Sequence, residues 1–143
     1  MSAPARRHPG QRGQTLAEMA LLMPVFLLLM LGLLDFGRVL YAQHTFNQAA
    51  REAARVALAD ADETDAKYAA IRAAAVSSAP GTGLQAANVT GLGCADCFYP
   101  DEAGSGGRVF VQISQQVSLL TPLVGQLFGG SITVEARSMA FIP

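Results

Sequence analysis

An uncharged, apolar run lies close to the start of this chain. Sixteen consecutive residues, 19–34, carry no charge. As an α-helix this run would rise about 24 Å, and Leu16 and Ala17 extend it toward the roughly 30 Å thickness of a bilayer's hydrocarbon layer. The run therefore predicts a transmembrane segment over residues 14–34.

The competing interpretation of such a run is a cleaved secretory signal, which has a shorter apolar region and ends at a small-x-small site. Here the run ends at Asp35 and Arg38 and continues into a helical pattern, which favours an anchor. Residues 1–13 hold three of the ten basic residues and none of the eleven acidic ones. By the positive-inside rule this predicts a basic cytoplasmic leader over 1–13 and an extracytoplasmic domain over 35–143.

Glu18 directly precedes the apolar run and lies five residues after Gly13. A carboxylate at the edge of the hydrocarbon is costly unless it is paired, protonated or reaches the polar interface. One interpretation is an interfacial residue with no further role. The other is a cut after Gly13, which would make Glu18 the fifth residue of a mature chain. Its carboxylate would then be able to meet the new N-terminal amine, at Gln14, of a neighbouring subunit.

Beyond the run, helical periodicity continues to about residue 59 in an alanine-rich stripe that fits either a domain core or a partner helix. The apolar positions of the stripe are Phe36, Leu40, Phe46, Ala50, Ala53 and Ala57. A second, short helix is predicted over about 65–78, with Thr64 or Asp62 as its N-cap. Asp35 and Arg38, three residues apart, predict an interfacial ion pair on the first helix.

The second half of the chain has the two-residue alternation of strands. Residues 109–114 and 132–141 alternate apolar and polar side chains, and 84–92 is a weaker candidate strand. A small antiparallel sheet packed on the extramembrane part of the long helix makes the fold class α+β. The apolar connection 119–130, with a helical turn expected at Thr121, either tucks under the sheet or docks on a partner or the bilayer.

Cys94 and Cys97 form a single C-x-x-C pair. In an oxidising compartment the simplest prediction is a local disulfide. A zinc site would need two further ligands, and the histidines are His8 in the leader and His44 in a helix. A redox pair of the thioredoxin type would need a βαβ context that the pattern lacks. We therefore expect no metal and no cofactor.

Composition and motifs also argue against several classes of function. No G-x-S-x-G, Walker A or H-E-x-x-H motif occurs, and His44 lies between Gln43 and Asn47 without an acidic neighbour. A chain cut after Gly13 would keep seven basic and eleven acidic residues, a net charge of −4. Phosphate backbones need a basic patch. We expect no enzyme activity, no small-molecule substrate and no nucleic-acid partner.

An ordered set of elements over about 45 residues resembles the TadE-like family, the minor pseudopilins of the tight-adherence (Flp pilus) system. The elements are Gly13, Gln14, Glu18, Ala20, Pro24, Asp35, Gly37, Arg38 and the Ala/Arg-rich stretch 47–55. Met19 and Ala53 depart from the family pattern, which more often has an aromatic residue and a glycine at these places. The resemblance implies a pilin-like fold and a cut after Gly13 by a prepilin peptidase, with Glu18 as the processing and assembly carboxylate.

The resemblance also implies partners and a location. The partners would be other pilins or a second minor pseudopilin, an assembly platform in the inner membrane, and the lipid bilayer. The protein would be a single-pass inner-membrane protein, with its N-terminus cytoplasmic and its domain periplasmic, or associated with the pilus. The alternative hypothesis is an uncleaved single-pass protein whose outer domain is a binding or scaffold module. A tethered envelope enzyme is a third and weaker hypothesis.

Overall fold

A computed structural model describes residues 11–59, 64–93, 96–99, 107–121, 125–126 and 129–142. Two helices are followed by three strands, so the predicted α+β class is confirmed. The elements are α1 (Gln11–Leu58), α2 (Asp65–Ser77), a 3₁₀ turn (Ala86–Asn88), β1 (Val89–Thr90), β2 (Arg108–Ser118) and β3 (Ser131–Phe141). The basic residues of the leader before Gln11 lie outside the described residues.

Helix α1 is 48 residues long and runs without a break from the start of the described chain into the domain. At 1.5 Å per residue it extends about 72 Å. Pro24 lies inside it and removes one backbone hydrogen bond, yet the helix continues through that position. The first half of α1 is exposed and the second half carries one face of the core. A single helix thus joins the apolar segment to the domain.

The buried face of α1 follows the predicted stripe only in part. Of the stripe's residues, Phe46, Ala50, Ala53 and Ala57 are buried in the domain core, while Phe36 and Leu40 are 59% and 43% exposed. Near those two positions, Asp35 and Val39 face the domain instead, because one residue corresponds to a rotation of about 100° around the helix. Three alanines outside the predicted stripe, Ala42, Ala49 and Ala54, complete the buried face. Its small side chains allow the sheet and α2 to pack closely.

Helix α2 begins as the sequence predicts. The hydroxyl of Thr64 accepts a hydrogen bond from the backbone N–H of Lys67 at 3.3 Å, so Thr64 is the N-cap. The other candidate, Asp62, lies outside the described residues. Ile71 and Ala75 are fully buried and lie in the core that α2 shares with α1.

The sheet is antiparallel with the strand order β1-β2-β3. Strands β2 and β3 pair along their whole length, from Arg108 opposite Phe141 to Ser118 opposite Ser131. The inward side chains are those that the alternation predicts, namely Val109, Val111, Ile113, Val134 and Ala136. These residues pack against α1 and complete the core.

The candidate strand over 84–92 is much shorter than predicted. Only Val89 and Thr90 pair with β2, because the residues just before them form a 3₁₀ turn closed by a hydrogen bond from the Asn88 N–H to the Gln85 carbonyl. Val89 is fully buried and anchors this short edge strand.

The connection between β2 and β3 contains the helical turn expected at Thr121. The N–H of Gly125 donates to the Thr121 carbonyl at 2.8 Å, which is the i to i−4 pattern of an α-helix. Gly129 and Gly130 then adopt positive φ angles of 76° and 82°. Glycine populates this conformation without strain. The chain therefore reverses here, and the Leu119 N–H donates to the Gly130 carbonyl.

Candidate processing and membrane-boundary site

The predicted processing residues lie together in the first turns of α1. Gly13, Gln14 and Glu18 are all helical and exposed. The Gln14 side-chain amide donates to the Glu18 carboxylate at 3.4 Å, because residues four apart share a helix face. Glycine is among the poorest helix formers, so Gly13 weakens the first turn of α1 relative to an alanine at the same position. The site is a carboxylate beside the residue that a cut would make N-terminal.

Beyond Glu18, α1 presents apolar side chains to its surroundings. The large side chains between Glu18 and Asp35 are 38–77% exposed. Among the described residues, α1 is long and apolar enough to cross a membrane, with a mean hydropathy of 2.3 over its most apolar stretch. Glu18 and Asp35 lie about 26 Å apart along the helix axis, close to the hydrocarbon thickness of a bilayer. The two carboxylates bracket the apolar segment.

Asp35, the first residue after this segment, ties α1 to a distant part of the chain. Its side chain is only 3% exposed. One carboxylate oxygen accepts the backbone N–H of Leu120 at 2.9 Å, and the other accepts the backbone N–H of Thr121 at 2.8 Å. Arg38 lies 3.9 Å from the same carboxylate. Asp35 therefore fixes the start of the β2–β3 connection against the outer end of the apolar segment.

These contacts hold the pKa of Asp35 below its ordinary value of 3.8. The Thr121 side chain contributes most, followed by the Leu120 N–H, while desolvation acts in the opposite direction. The Thr121 hydroxyl is buried and makes no hydrogen bond of regular geometry to any described group. We therefore assign the binding of Asp35 to the two backbone N–H groups, with the hydroxyl acting as a nearby dipole.

The other predicted positions around the membrane boundary have different surroundings. Gly37 is exposed, and a Cβ atom added there would meet no atom within 4 Å. Pro24 lies within the apolar half of α1. The Asp35–Arg38 pair expected from the spacing is present, but at 3.9 Å it is the longest of the carboxylate's contacts. The partners at Leu120 and Thr121 were missed, because no local pattern links residues 85 and 86 positions apart.

The cysteine segment forms a second structured region, at the far end of the domain. Cys97 is disulfide-bonded, while Cys94 lies outside the described residues. Arg72 donates to the Val89 carbonyl and pairs with Asp96 at 2.6 Å. The Tyr99 hydroxyl donates to the Ala57 carbonyl at 2.8 Å, near the last turn of α1. These bonds fasten segment 96–99 to both helices and to the sheet edge.

Gly91 is required by this segment, a point that the sequence pattern did not indicate. A Cβ at Gly91 would overlap the backbone carbonyl of Cys97. The next residue, Leu92, donates its N–H to the Cys97 carbonyl at 3.0 Å. The two backbones can approach this closely only when residue 91 has no side chain.

We found no group of three or more metal-ligating side chains within the part of the chain that the structure describes. His44 is exposed on α1. The described features that carry information about function are therefore the junction at Gly13 to Glu18 and the boundary at Asp35.

These features define a class of protein with one apolar N-terminal helix that continues into a small α+β domain. Within this class, residues 13–55 match the family model described as "TadE-like protein". This match confirms the TadE-like resemblance over those residues. No curated protein and no solved structure shows significant similarity to the chain.

Proposed function

We propose that this protein is a non-enzymatic minor pseudopilin that assists the biogenesis of a tight-adherence pilus. The observation that carries the proposal is the family match over residues 13–55, which begins at the proposed cleavage residue Gly13 and includes Glu18. A prepilin peptidase would cut after Gly13. The exposed carboxylate of Glu18 would then be available to the new amine at Gln14 of a neighbouring subunit.

The architecture supports this proposal through the two halves of α1. The exposed apolar half suits lateral packing among other pilin helices in the bilayer, and the buried half holds the domain. An amine and a carboxylate attract each other strongly where the dielectric constant is low, so pairing between subunits would be favourable at the membrane edge. Such a subunit needs no catalytic group.

The proposed location is the inner membrane, with residues 1–13 on the cytoplasmic side and the domain on the periplasmic side. The basic leader supports this orientation. The proposed partners are the prepilin peptidase, other pilins or a second minor pseudopilin, and the inner-membrane assembly platform.

Complementation tests the proposed role in assembly. In a host that makes tight-adherence pili, deletion of the gene should abolish or strongly reduce surface pili counted by electron microscopy, and the wild-type gene should restore them. Glu18→Gln should fail to restore pili, while Glu135→Gln, a matched change of an exposed glutamate on β3, should restore them. Full piliation in the deletion strain, or with Glu18→Gln, would contradict the proposal.

One observation favours the alternative of an uncleaved protein with a binding domain. Met139 and Phe141 are 48% and 60% exposed on the outer face of β3, where a partner has access to them. Under this alternative, a Gly13 variant that blocks cleavage would keep its function. Under the pseudopilin proposal the same variant would lose it.

A further inference from the structure

One apolar side chain of the domain is exposed while its backbone is held in place by hydrogen bonds. Leu120 is 66% exposed, and it lies two residues after the end of β2. Its N–H donates a hydrogen bond to the buried carboxylate of Asp35 at 2.9 Å. The N–H of Thr121, the next residue, donates to the other carboxylate oxygen. The domain thus presents a leucine at a fixed place next to α1.

That place is the outer end of the apolar segment. Asp35 is the first residue after the uncharged run, and it lies about 26 Å above Glu18 along the helix. Since a hydrocarbon layer is about 30 Å thick, Asp35 lies at its outer boundary when Glu18 lies at the inner one. A direct hydrogen bond puts the Leu120 backbone at the same level as the Asp35 carboxylate.

Polar groups lie farther from the apolar segment than Asp35 does. Arg38 and Tyr41 follow Asp35 on α1 by about 5 and 9 Å, a range that reaches through the headgroup layer. They line a notch of about 150 Å³ together with Thr82, Gln116 and Ser118. Tyr41 is exposed, as is common for tyrosine at a membrane interface. The guanidinium, hydroxyl and amide groups of the notch are suited to hydrogen-bond a phosphate.

We propose that this end of the domain rests on the lipid leaflet through a membrane-facing collar, which consists of Leu120, Arg38, Tyr41 and the notch. Leu120 enters the boundary between acyl chains and headgroups, and Arg38 faces the lipid phosphates. Along the membrane normal, the apolar Leu120 comes first and the cationic Arg38 and aromatic Tyr41 follow. This order matches the acyl-chain layer and the headgroup layer of a leaflet. The collar is also continuous with the exposed apolar surface of α1, which favours lipid over a protein partner.

This inference rests on the proposed anchoring by α1, and it adds that the domain itself binds lipid at a set height. Asp35 is the positioning residue, because its two hydrogen bonds hold Leu120 at the boundary. The domain, together with the helix that forms its core, would then have a restricted tilt relative to the bilayer.

The chain contains no tryptophan, so a single introduced tryptophan reports on its own surroundings. Full-length Leu120→Trp, Phe26→Trp and Met139→Trp variants would each be reconstituted in phosphatidylethanolamine–phosphatidylglycerol vesicles containing brominated acyl chains. Phe26 lies within the apolar half of α1, and Met139 lies on the outer face of the sheet; both are exposed, as Leu120 is. We expect bromine to quench the fluorescence at positions 120 and 26 and not at 139.

Adding Asp35→Asn to the Leu120→Trp variant should reduce quenching toward the level of position 139. The substitution removes the carboxylate on α1 that holds the backbone N–H groups of residues 120 and 121. Quenching at 120 equal to that at 139, with strong quenching at 26, would overturn the collar while leaving the anchor intact. A blue-shifted but unquenched tryptophan at 120 would point to a protein contact and would also overturn it. No quenching at 26 would overturn the anchor and the collar together.

Discussion

At the scale of single residues, Asp35 has the most consequences, because one carboxylate joins the helix to a loop 85 residues away in sequence. An asparagine at position 35 keeps the shape of the side chain. Its amide has a single acceptor oxygen, and its NH2 group replaces the second oxygen with donors that face a backbone N–H. We expect Asp35→Asn to speed hydrogen exchange at the Leu120 and Thr121 amides by about tenfold, since bonds to charged groups are the stronger kind. Glu135→Gln is the control, and unchanged exchange in Asp35→Asn would contradict the assignment.

The lowered pKa of Asp35 also gives a prediction for pH. The pKa of Asp35 in the folded protein lies below the ordinary pKa of 3.8. The charged carboxylate therefore stabilises the fold fully at pH values above the ordinary pKa, and this stabilisation is lost as the pH falls through the folded-state pKa. The difference in melting temperature between wild type and Asp35→Asn should therefore be constant above about pH 5 and shrink in stronger acid. A difference in melting temperature that instead grows as the pH is lowered would show that the pKa of Asp35 is not lowered in the folded protein.

Gly91 makes a second prediction at this scale. Gly91→Ala forces a methyl group against the Cys97 backbone, and relieving the overlap should cost about 1–3 kcal/mol of unfolding free energy. Gly37→Ala is the matched control, since it adds the same methyl in open space within a helix and should be neutral or slightly stabilising. Denaturant unfolding in detergent compares the two variants. Equal stabilities would rule out the close approach.

At the scale of elements, the alanine stripe sets how closely the sheet and α2 approach α1. Ala53 is fully buried on this face. Ala53→Leu should cost about 1–3 kcal/mol through overpacking, whereas Arg51→Leu, two residues away and exposed, should cost little. Thermal unfolding tests the contrast. A tolerated leucine at 53 would show that the interface is looser than the structure indicates.

The same elements show what could be predicted from sequence. The long helix and the two long strands follow from local periodicity, which reports on burial of one face, and α2 follows from its N-cap signal at Thr64. Phe36 and Leu40 belong to a stripe that fitted either a domain core or a partner helix, and helical spacing did not show that the domain covers Asp35 and Val39 instead. The strand over 84–92 was shortened by a 3₁₀ turn. The Asp35 bonds and the Gly91 contact depend on tertiary approach, which no local pattern encodes.

At the scale of the whole molecule, α1 is fastened to the domain near both ends of its buried half. Asp35 holds the β2–β3 connection at the membrane boundary, and the Ala57 carbonyl accepts the Tyr99 hydroxyl at the far end. Gln43 adds a bond to the Glu135 carbonyl of β3 between them. The domain is therefore well placed to follow the movement of its helix, as expected for a subunit that is positioned within an assembly through that helix.

The proposed role of Glu18 depends on a cut between Gly13 and Gln14. The most direct measurement is the intact mass of the protein extracted from membranes of cells with an active prepilin peptidase. We predict a mass lacking residues 1–13, with Gln14 as the N-terminal residue, and the unprocessed mass in a peptidase-deficient strain. A chain that keeps its leader in cells where other prepilins are processed would contradict the claim.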